Sequence, residues 1–534
     1  MKKIITLFIF LVFLSNTYSQ NQSAVYQSNL VKFITTPVSV DGSGFPVPVP
    51  GSSPFGINTS EARWNYQDPS SIGGNGAMSG PGNLFSLPWN LNNKRLCLYD
   101  SMSSNPVWTY TAATNANDGH SAMNDSGTLI VFSSGKNILM FNKNSNVPVN
   151  NFNLAVLPDT GNAGPVDMAM DGSFYIGTAV RSDTSTVLRL NADGTQGWKL
   201  RVPTSVYGVN ISRNDSLVIV NTYSKYWVVN THTGEVRFQG DITYGTQAKQ
   251  GISGNGTYIA LIDYRGYTRL LEWNGSAYVL KWTVQETPGS YYNWITAVDI
   301  SEDGQYVVNG SLIFLTSSSF DGRIKVYKIS AGNTPVWSYV GCGDEVQSVA
   351  FSRNGNIVSA ASWGDLAHTK SDLVVFKTRN TTGIPLYTLK TSGSMFYTSV
   401  SNDGRSVFAT GKAVHARQMG SGGLLYNIAI DTNENPVNIT AENSLIPDKN
   451  YLHQNYPNPF NPSTNINFDL KDNGAVSLDV YDVSGKLVRR IFGGFLSAGT
   501  YNINFNASGL GSGIYFCRMQ SGDFVQVNKL ILVK

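Results

Sequence analysis

The feature that most constrains this chain is a phrase that recurs from residue 120 to residue 408. It consists of an alternating apolar strand, a polar turn built on Asp-Gly or Asn-Gly, and a second apolar strand. These dipeptides predict tight β-hairpins, because their turns need positive φ angles. The turn residues of the seven copies lie 45, 44, 40, 48, 51 and 49 residues apart and are Gly127, Gly172, Ser216, Gly256, Gly304, Gly355 and Gly404. The chain is therefore expected to repeat one supersecondary unit.

Each copy continues with two further strands. The third strand is clear at Asn137–Asn142, Tyr226–Asn230 and Arg323–Lys328. The fourth carries an aromatic residue, which in successive copies is Trp198, Phe238, Trp282, Trp337 or Tyr387. Four short strands in roughly 40–50 residues are typical of a propeller blade. We expect these aromatic side chains to be core wedges between neighbouring blades.

The number of blades depends on whether the residues before the first clear copy form a further blade. Arg95–Tyr99 and Pro106–Tyr110 have the character of a third and a fourth strand, whereas residues 61–94 match the phrase poorly. We predict an all-β fold with a β-propeller at residues 61–430 that has seven blades, with eight as the alternative. The repeat resembles the WD40-like and quinoprotein-like propeller families, although no copy carries the Trp-Asp signature of true WD40 repeats.

A second all-β unit is expected after the repeat ends. Residues 431–449 are a polar linker, and residues 450–534 contain further alternating strands that suggest a small immunoglobulin-like β-sandwich. Turns are predicted at Ser484-Gly485, Gly493-Gly494 and Ser512-Gly513. The predicted strands are Thr464–Leu470, Ala475–Tyr481, Lys486–Phe492, Gly499–Phe505, Gly513–Met519 and Phe524–Val533.

This second unit also carries an ordered series of motifs, which begins with Gln454–Phe460 (QNYPNPF) and ends with Lys529–Lys534 (KLILVK). In these motifs it resembles the type A C-terminal sorting domain of proteins exported by the type IX (Por) secretion system. The resemblance implies a bacterium of the Bacteroidota or a close relative, and a partner in the type IX machinery. The residues assigned to the sorting signal are Tyr456, Pro457, Asn458, Pro459, Phe460, Gly485, Gly499, Gly513, Tyr515, Lys529 and Lys534.

The sequence of the amino-terminal segment indicates how the protein enters that export route. Met1–Ser19 has a basic head at Lys2 and Lys3, followed by an apolar run at Ile4–Leu14 that is too short to span a membrane, which needs about 20 residues. We interpret residues 1–19 as a signal peptide and residues 20–60 as a Pro/Gly/Ser-rich segment. No integral membrane segment is expected after signal removal. The resemblance places the mature protein, via the periplasm, on the outer-membrane surface or outside the cell.

The search for catalytic and metal motifs favours binding over chemistry. The formal net charge is +3, which gives no reason to expect a nucleic-acid partner. The five His are scattered without an HExxH zinc helix, the three Cys form no CxxC pair, and neither a GxSxG elbow nor a phosphate-binding GxxxxGK[ST] loop is present. We predict no catalytic residue, no metal site and no cofactor. A secreted propeller enzyme (lyase, hydrolase or quinoprotein-like) and a structural component of a surface layer or filament are the alternatives.

The candidate ligand site follows from the geometry of a four-stranded meander. The Asp-Gly turns after the first strands share one face, so the longer connections at 179–186, 285–293, 311–322 and 362–371 lie on the other. Binding residues concentrate on variable loops held by a rigid scaffold. An aromatic, lightly charged surface suits a glycan or a protein partner. The residues predicted to bind this ligand are Tyr291, Tyr292, Trp294, Phe320, Trp363, Asp365 and His368.

Overall fold

A computed structural model describes residues 61–112, 119–157, 161–286, 293–379, 383–430, 432, 439–443, 447–472, 474–496 and 499–534. The predicted signal peptide and the segment 20–60 lie outside these residues. The described residues form antiparallel sheets and two single-turn 3-10 helices, Leu154–Val156 and Ile329–Ala331, with no α-helix among them. The prediction of an all-β chain is confirmed.

The described part of residues 61–430 forms eight sheets, numbered here in chain order. The first described strand is β1 (Glu61–Asp68), which belongs to sheet 8. Sheet 1 has β2 (Ser71–Gly73), β3 (Ala77–Met78), β4 (Leu84–Leu91), β5 (Arg95–Asp100) and β6 (Pro106–Thr111). Sheet 2 has β7 (His120–Met123), β8 (Leu129–Ser134), β9 (Asn137–Asn142) and β10 (Pro148–Asn153). Sheet 3 has β11 (Asn162–Ala163), β12 (Asp167–Met168), β13 (Phe174–Val180), β14 (Thr184–Asn191) and β15 (Gln196–Pro203). Sheet 4 has β16 (Val206–Ile211), β17 (Leu217–Thr222), β18 (Lys225–Asn230) and β19 (Val236–Asp241).

The second half of this region repeats the same four-stranded order. Sheet 5 has β20 (Gly251–Ile252), β21 (Tyr258–Ile262), β22 (Tyr267–Trp273) and β23 (Tyr278–Gln285). Sheet 6 has β24 (Trp294–Ile300), β25 (Tyr306–Phe314), β26 (Phe320–Lys328) and β27 (Pro335–Val340). Sheet 7 has β28 (Val346–Phe351), β29 (Ile357–Ser362), β30 (Leu373–Lys377) and β31 (Tyr387–Leu389). Sheet 8 has β32 (Ser394–Val400), β33 (Ser406–Lys412) and β34 (Gly423–Ala429), completed by β1.

The eight sheets follow one another in a closed, propeller-like series. Each sheet contacts the next along the chain, and sheet 8 contacts sheet 1. The closing strand is β1, which pairs antiparallel with β34 so that Glu61 lies opposite Ala429 and Asp68 opposite Gly423. The last sheet is thus built from both ends of the region, which ties its two ends together through backbone hydrogen bonds.

The aromatic residues of the outer strands pack between neighbouring sheets, as predicted. Trp337 of sheet 6 is buried, its ring lies 4.6 Å from that of Phe376 in sheet 7, and its indole Nε1 donates to the carbonyl of Thr378. Trp282 of sheet 5 packs against Tyr327 of sheet 6, with ring centroids 5.5 Å apart. These wedges join adjacent sheets through large apolar contacts.

The turns after the first strands need a left-handed residue, and the sequence supplies one in every sheet. Gly127, Gly172 and Gly256 all have φ near 70–80°. In sheet 4 the left-handed residue is Asp215 (φ 59°), so the sequence-based alignment on Ser216 was wrong by one position. In sheet 1 the residue is Gly82 (φ 72°), which belongs to a Ser-Gly-Pro-Gly turn that the search for Asp-Gly and Asn-Gly did not detect.

Hydrogen bonds between main-chain groups span six of the eight junctions between successive turns and form a belt around this face. Their donors and acceptors are Gly80 N–Asp125 O, Asp125 N–Met170 O, Asn214 N–Gly254 O, Gly254 N–Glu302 O, Asn354 N–Asn402 O and Asn402 N–Gly80 O. At the other two junctions the contact between neighbouring turns is made by side chains. Asp215 accepts from the Met170 N–H (2.9 Å), and the Arg353 guanidinium pairs with Glu302 (2.9 Å).

Two further sheets follow residue 430. One contains β35 (Ile439–Asn443), β36 (Tyr451–Leu452), β37 (Ser463–Leu470) and β40 (Gly499–Asn506), and the other contains β38 (Gly474–Asp482), β39 (Leu487–Leu496), β41 (Gly513–Ser521) and β42 (Phe524–Leu532). Both sheets contribute to a single core, which includes Phe468, Leu478, Ile503 and Met519. The two sheets therefore pack on each other.

Two details of this region differ from the sequence-based expectation. Ile439–Asn443 lies within the predicted linker 431–449 yet pairs as an edge strand with β40. The turn predicted at Gly493-Gly494 is absent, because β39 runs through both glycines and remains paired with β38 to Leu496. In each case pairing with a neighbouring strand outweighs a local composition that is unfavourable for strands.

Candidate functional site

The face opposite the glycine turns carries the connections after the second and fourth strands of each sheet; we call it the loop face. Its connection at 362–371 agrees with the sequence-based prediction, since β29 ends at Ser362 and β30 begins at Leu373. The connection predicted at 179–186 is shorter, because β13 extends to Val180 and β14 begins at Thr184. At 311–322 only residues 315–319 lie between strands, and most of 285–293 lies outside the described residues.

Five of the seven predicted ligand-binding residues are described. Trp294 begins β24, Phe320 begins β26, and Trp363, Asp365 and His368 lie in the connection between β29 and β30. All five belong to sheets 6 and 7 on the loop face. The other two, Tyr291 and Tyr292, lie outside the described residues.

A line of aromatic rings crosses the loop face from sheet 4 to sheet 6; we call it the aromatic arc. It consists of Tyr223, Tyr264, Trp294, Phe314 and Phe320, and the successive ring centroids lie 6.2, 4.8, 5.3 and 5.4 Å apart. These distances are those of edge-to-face and offset aromatic pairs. Tyr223 is 41% exposed, and the other four rings are half-buried, so the arc presents ring surface to solvent.

Beyond the arc, Arg417 of sheet 8 lies against two of the predicted rings. Its guanidinium carbon is 3.9 Å from the ring centroid of Phe320 and 5.3 Å from that of Trp363. The same guanidinium makes a bidentate pair with buried Asp344, with N–O distances of 2.6 and 2.8 Å. One side of each ring is therefore occupied by a cation of the protein itself. A ligand that stacks on Phe320 or Trp363 has to use the remaining ring surface.

The two polar residues predicted for the site shape their own loop. The Asp365 carboxylate accepts hydrogen bonds from the N–H of Thr369 (2.6 Å) and Lys370 (2.8 Å) and from the Thr369 hydroxyl (2.6 Å). Burial favours a higher Asp365 pKa, but these hydrogen bonds outweigh it and lower the pKa. His368 is exposed, has φ of 54°, and donates its N–H to the Asp365 carbonyl (2.9 Å).

One carboxyl with a strongly raised pKa at this face is that of Glu345, just before β28. Burial and the neighbouring Asp344 charge raise its pKa to about 8, although Arg417 opposes the shift. No hydrogen bond reaches this carboxyl from the described residues. Its backbone carbonyl accepts from the Trp363 N–H (2.9 Å), and its charge helps burial to raise the pKa of Tyr264. The Glu345 backbone is therefore tied to the Trp363 loop.

A buried histidine completes the polar surroundings of Asp344. His415 is 1% exposed, and burial lowers its pKa although the charge of Asp344 opposes that shift. Its Nδ1 accepts from the Arg417 N–H (3.2 Å), and its Nε2 lies 3.9 Å from Asp344. A neutral imidazole fits this arrangement and leaves Arg417 as the cation paired with Asp344.

The sequence-based search did not detect Tyr264, Asp344, Glu345 or Arg417. A usable signal was present for one pair, because Asp344-Glu345 stands directly before an inner strand in a chain with only 14% charged residues. Arg417 gave no such signal. Its contacts with Phe320 and Trp363 exist only because three different sheets meet on the loop face.

Glu345→Gln provides a pH test of this environment. A carboxyl whose pKa is raised to about 8 in the folded protein holds its proton more tightly than in the unfolded chain, so stability falls as pH rises between about 4 and 8. At pH 8.5 we expect the variant to exceed the wild type in free energy of unfolding by about 1–3 kcal/mol, and at pH 4 to match it. Denaturant titrations at both pH values measure the difference, with exposed Glu235→Gln as control. An identical difference at both pH values would contradict the assignment.

On the opposite face, a depression of about 650 Å³ lies at the centre of the turn belt. Several of its charged groups are paired with each other. The Arg353 guanidinium bridges Glu302 (2.9 Å) and Asp125 (3.5 Å), and the Asn402 amide donates to Asp125 (2.8 Å). These contacts reinforce the belt and leave the loop face as the better candidate.

Two of the predicted sorting residues, Asn458 and Phe460, lie along the edge of β42. The side chain of Asn458 pairs like a strand residue: its oxygen accepts from the Ile531 N–H (2.9 Å) and its amide donates to the Lys529 carbonyl (3.0 Å). Phe460 donates its N–H to the Ile531 carbonyl and accepts from the Val533 N–H, while its ring enters the core. The segment thus covers an edge strand that otherwise presents free backbone groups.

The remaining sorting residues occupy turns and strand ends. Gly485 has φ of 79° in the turn between β38 and β39, while Gly499 begins β40 and Gly513 begins β41. The Tyr515 hydroxyl donates to the Gly511 carbonyl (2.8 Å), and the Lys534 ammonium donates to the Ser508 carbonyl (2.6 Å). Pro457 and Pro459 flank Asn458, and Tyr456 is 81% exposed.

The fold and these contacts define an all-β protein with a compact unit at its carboxyl end whose last strand is covered by an Asn- and Pro-rich segment. Residues 454–534 match the family model described as the secretion system C-terminal sorting domain, that of Por secretion. This domain marks proteins that the type IX system exports, so the protein is directed to the cell surface or the extracellular space. No curated protein matches the chain.

The residues that the structure describes contain no helix with the length and apolar character needed to cross a membrane. They also contain no group of three or more His, Cys, Asp and Glu side chains arranged to hold a metal ion.

Proposed function

We propose that the exported protein is a non-catalytic binding module that uses the loop face to hold a glycan or a protein. The observation that carries this proposal is the aromatic arc, a continuous line of partly exposed rings on the loop face. Aromatic residues are enriched in binding interfaces because they supply large contact areas at small entropic cost. Binding is therefore the activity that these groups support best.

Exposed apolar side chains at the loop tips favour a protein as the ligand. The tips on the loop face of sheets 6, 7, 8 and 1 carry Leu315, Leu366, Met419 and Leu91, which are 53%, 58%, 99% and 40% exposed. Exposed aliphatic groups that surround a more polar centre are typical of protein interaction surfaces. Sugars interact mainly with aromatic faces and polar groups, so these tips add nothing for a glycan.

For the architecture we propose an eight-bladed propeller at residues 61–430, in place of the seven blades that the repeat favoured. The additional blade is sheet 1, whose first two strands lie within 61–94 with Gly82 in their turn, and β1 completes the last blade. We further propose an immunoglobulin-like sandwich for the sorting unit, which includes the strand at Ile439–Asn443. We also propose that residues 1–19 are a signal peptide and that residues 20–60 are a Pro/Gly/Ser-rich segment before the propeller.

The test of the loop face is a pair of substitutions, Trp294→Ala and Trp363→Ala. Each removes a half-buried ring that contributes to the face, and we expect each to weaken binding about tenfold to hundredfold, as hot-spot aromatics do. The ligands are screened with a panel of purified polysaccharides and surface proteins by surface plasmon resonance. Tyr451→Ala, which removes an exposed ring from the sorting unit, is the control. Unchanged affinity in both tryptophan variants would remove this face from consideration.

A further inference from the structure

The depression at the centre of the turn belt has a polar lining, unlike the loop face. Five consecutive turns, those of sheets 4 to 8, contribute to it. Four asparagines, two arginines, one aspartate, one glutamate and one glycine line it. Its volume of about 650 Å³ falls within the range of small-molecule sites, about 300–1,000 Å³. With no aromatic or aliphatic side chain among these residues, the depression suits a polar ligand.

One of the two arginines, Arg213, keeps most of its hydrogen-bond donors available. Its guanidinium contacts the Met170 sulfur (3.2 Å), which is a weak acceptor, and no carboxylate of the described residues lies within ion-pair distance of it. The other arginine, Arg353, is committed to Glu302 and Asp125. Arg213 is therefore the cation of this depression that can take an anion from solution.

Two asparagines of the lining present further donors. The Asn214 side-chain oxygen accepts from the hydroxyls of Ser212 (2.8 Å) and Ser216 (2.7 Å). The Asn255 oxygen accepts from the Thr257 N–H (2.9 Å). These bonds fix which end of each amide is the oxygen, because only the oxygen can accept. The two amide nitrogens make no hydrogen bond within the described residues, so both can donate to a ligand.

The same lining also offers an acceptor. One oxygen of the Asp303 carboxylate accepts from the Ser301 hydroxyl (2.6 Å) and from the Gln305 N–H (3.0 Å), which holds the turn. The other oxygen makes no hydrogen bond within the described residues, and Asp303 is exposed. Several donors and one acceptor in a single depression match a ligand that carries one negative charge together with hydroxyl groups.

We propose that this depression binds a sugar acid, a pyranose ring that carries a carboxylate. The carboxylate would accept hydrogen bonds from the Arg213 guanidinium and from the Asn214 and Asn255 amides. A ring hydroxyl would donate to Asp303. This site lies on the face opposite the loop face and does not depend on the function proposed there.

The charges of the lining favour a sugar acid over other ligands. Because the two arginines are matched by two acidic residues, a peptide with a run of carboxylates would meet Glu302 and Asp303 as well as Arg213. A bare phosphate or acetate ion would leave the acceptor oxygen of Asp303 unused. A neutral sugar would leave the guanidinium of Arg213 without a partner.

The experiment measures binding of digalacturonate to the purified full-length protein by isothermal titration calorimetry. Arg213→Gln should weaken binding about tenfold or more, the value of a hydrogen bond between charged groups. Asn255→Asp should also weaken it, because the new carboxylate still accepts from Thr257 while a negative charge replaces the donor. The matched control is Arg405→Gln, which changes an exposed arginine in the turn of sheet 8 outside the lining and should bind as the wild type does. Arg213 and Asn255 are exposed, so both variants are expected to fold.

Equal binding of digalacturonate to the wild type and to Arg213→Gln, or no binding at all, would overturn the proposal. Galactobiose, acetate, inorganic phosphate and hexaglutamate should each bind about tenfold more weakly or less, and equal affinity for any of them would overturn the assignment to a sugar acid. Trp294→Ala, on the loop face, should bind digalacturonate normally. Weaker binding in that variant would move the sugar acid to the loop face, so the two sites are tested separately.

Discussion

Replacing Trp64 and Tyr66 together by alanine is expected to lower the free energy of unfolding of the repeat region by about 4 kcal/mol. Both residues belong to β1, the strand that joins the start of this region to its end. Trp64 packs against Phe85 and Tyr99, and Tyr66 packs against Trp89, with ring centroids 5.7–6.0 Å apart. The indole N–H of Trp64 also donates to the Ser101 carbonyl (2.9 Å).

This loss should combine the packing energy of two half-buried rings with a weaker closure of the series. Without these anchors β1 can separate from β34, which exposes the backbone groups of β34 and the ion pair that Asp68 makes with Arg95 of sheet 1. Denaturant unfolding measures the stability, and hydrogen exchange at β34 measures the separation. Val107→Ala, an exposed side chain on β6, is the control. Unchanged exchange at β34 would show that β1 does not close the series.

Phe460→Ala is expected to abolish export. Its ring is 3% exposed in the core of the sorting unit, and removal of a buried Phe typically costs about 3–5 kcal/mol. That cost is comparable with the total stability of a small domain, about 5–15 kcal/mol. The substitution also loosens the segment that covers β42. We expect the variant to accumulate in the periplasm. Fractionation of the producing cells and immunoblotting measure this accumulation.

Two substitutions separate folding from direct recognition of the motif. Phe524→Ala removes a partly buried ring at the margin of the same core and should reduce export much less. Tyr456→Ala removes a ring that is 81% exposed in the same motif and should leave the stability unchanged. If Tyr456→Ala blocked export as strongly as Phe460→Ala, the motif would act as a recognised surface and our explanation by edge covering and packing would be wrong.

The local part of the fold could be predicted from the sequence because its signals are local. An Asp-Gly or Asn-Gly turn fixes a hairpin within about ten residues, through the positive φ that glycine tolerates. The same reasoning missed the turn at Gly82, whose neighbours Gly80 and Pro81 do not form the expected dipeptide. It also misplaced the left-handed residue of sheet 4, since Asp215 adopts a conformation usually left to glycine.

The candidate site was predicted only in part, for a related reason. Trp294, Phe320 and Trp363 were identified as aromatic residues near long connections, and all three lie on the loop face. The sequence could not show that Arg417 lies against two of these rings or that Asp344 takes up its charge. It also could not show that Glu345 is left without a counter-ion, because that depends on which side chains surround it.

The sequence by itself determined the all-β character, the repeating four-stranded unit and the sorting unit at the carboxyl end. Each of these follows from patterns that extend over a few residues to a few tens of residues. The tertiary structure decided that β1 pairs with β34, that eight sheets follow one another, and that Glu345, Arg417 and the aromatic arc share one face. These features depend on contacts between residues far apart in the chain, and such contacts form only when the sheets pack.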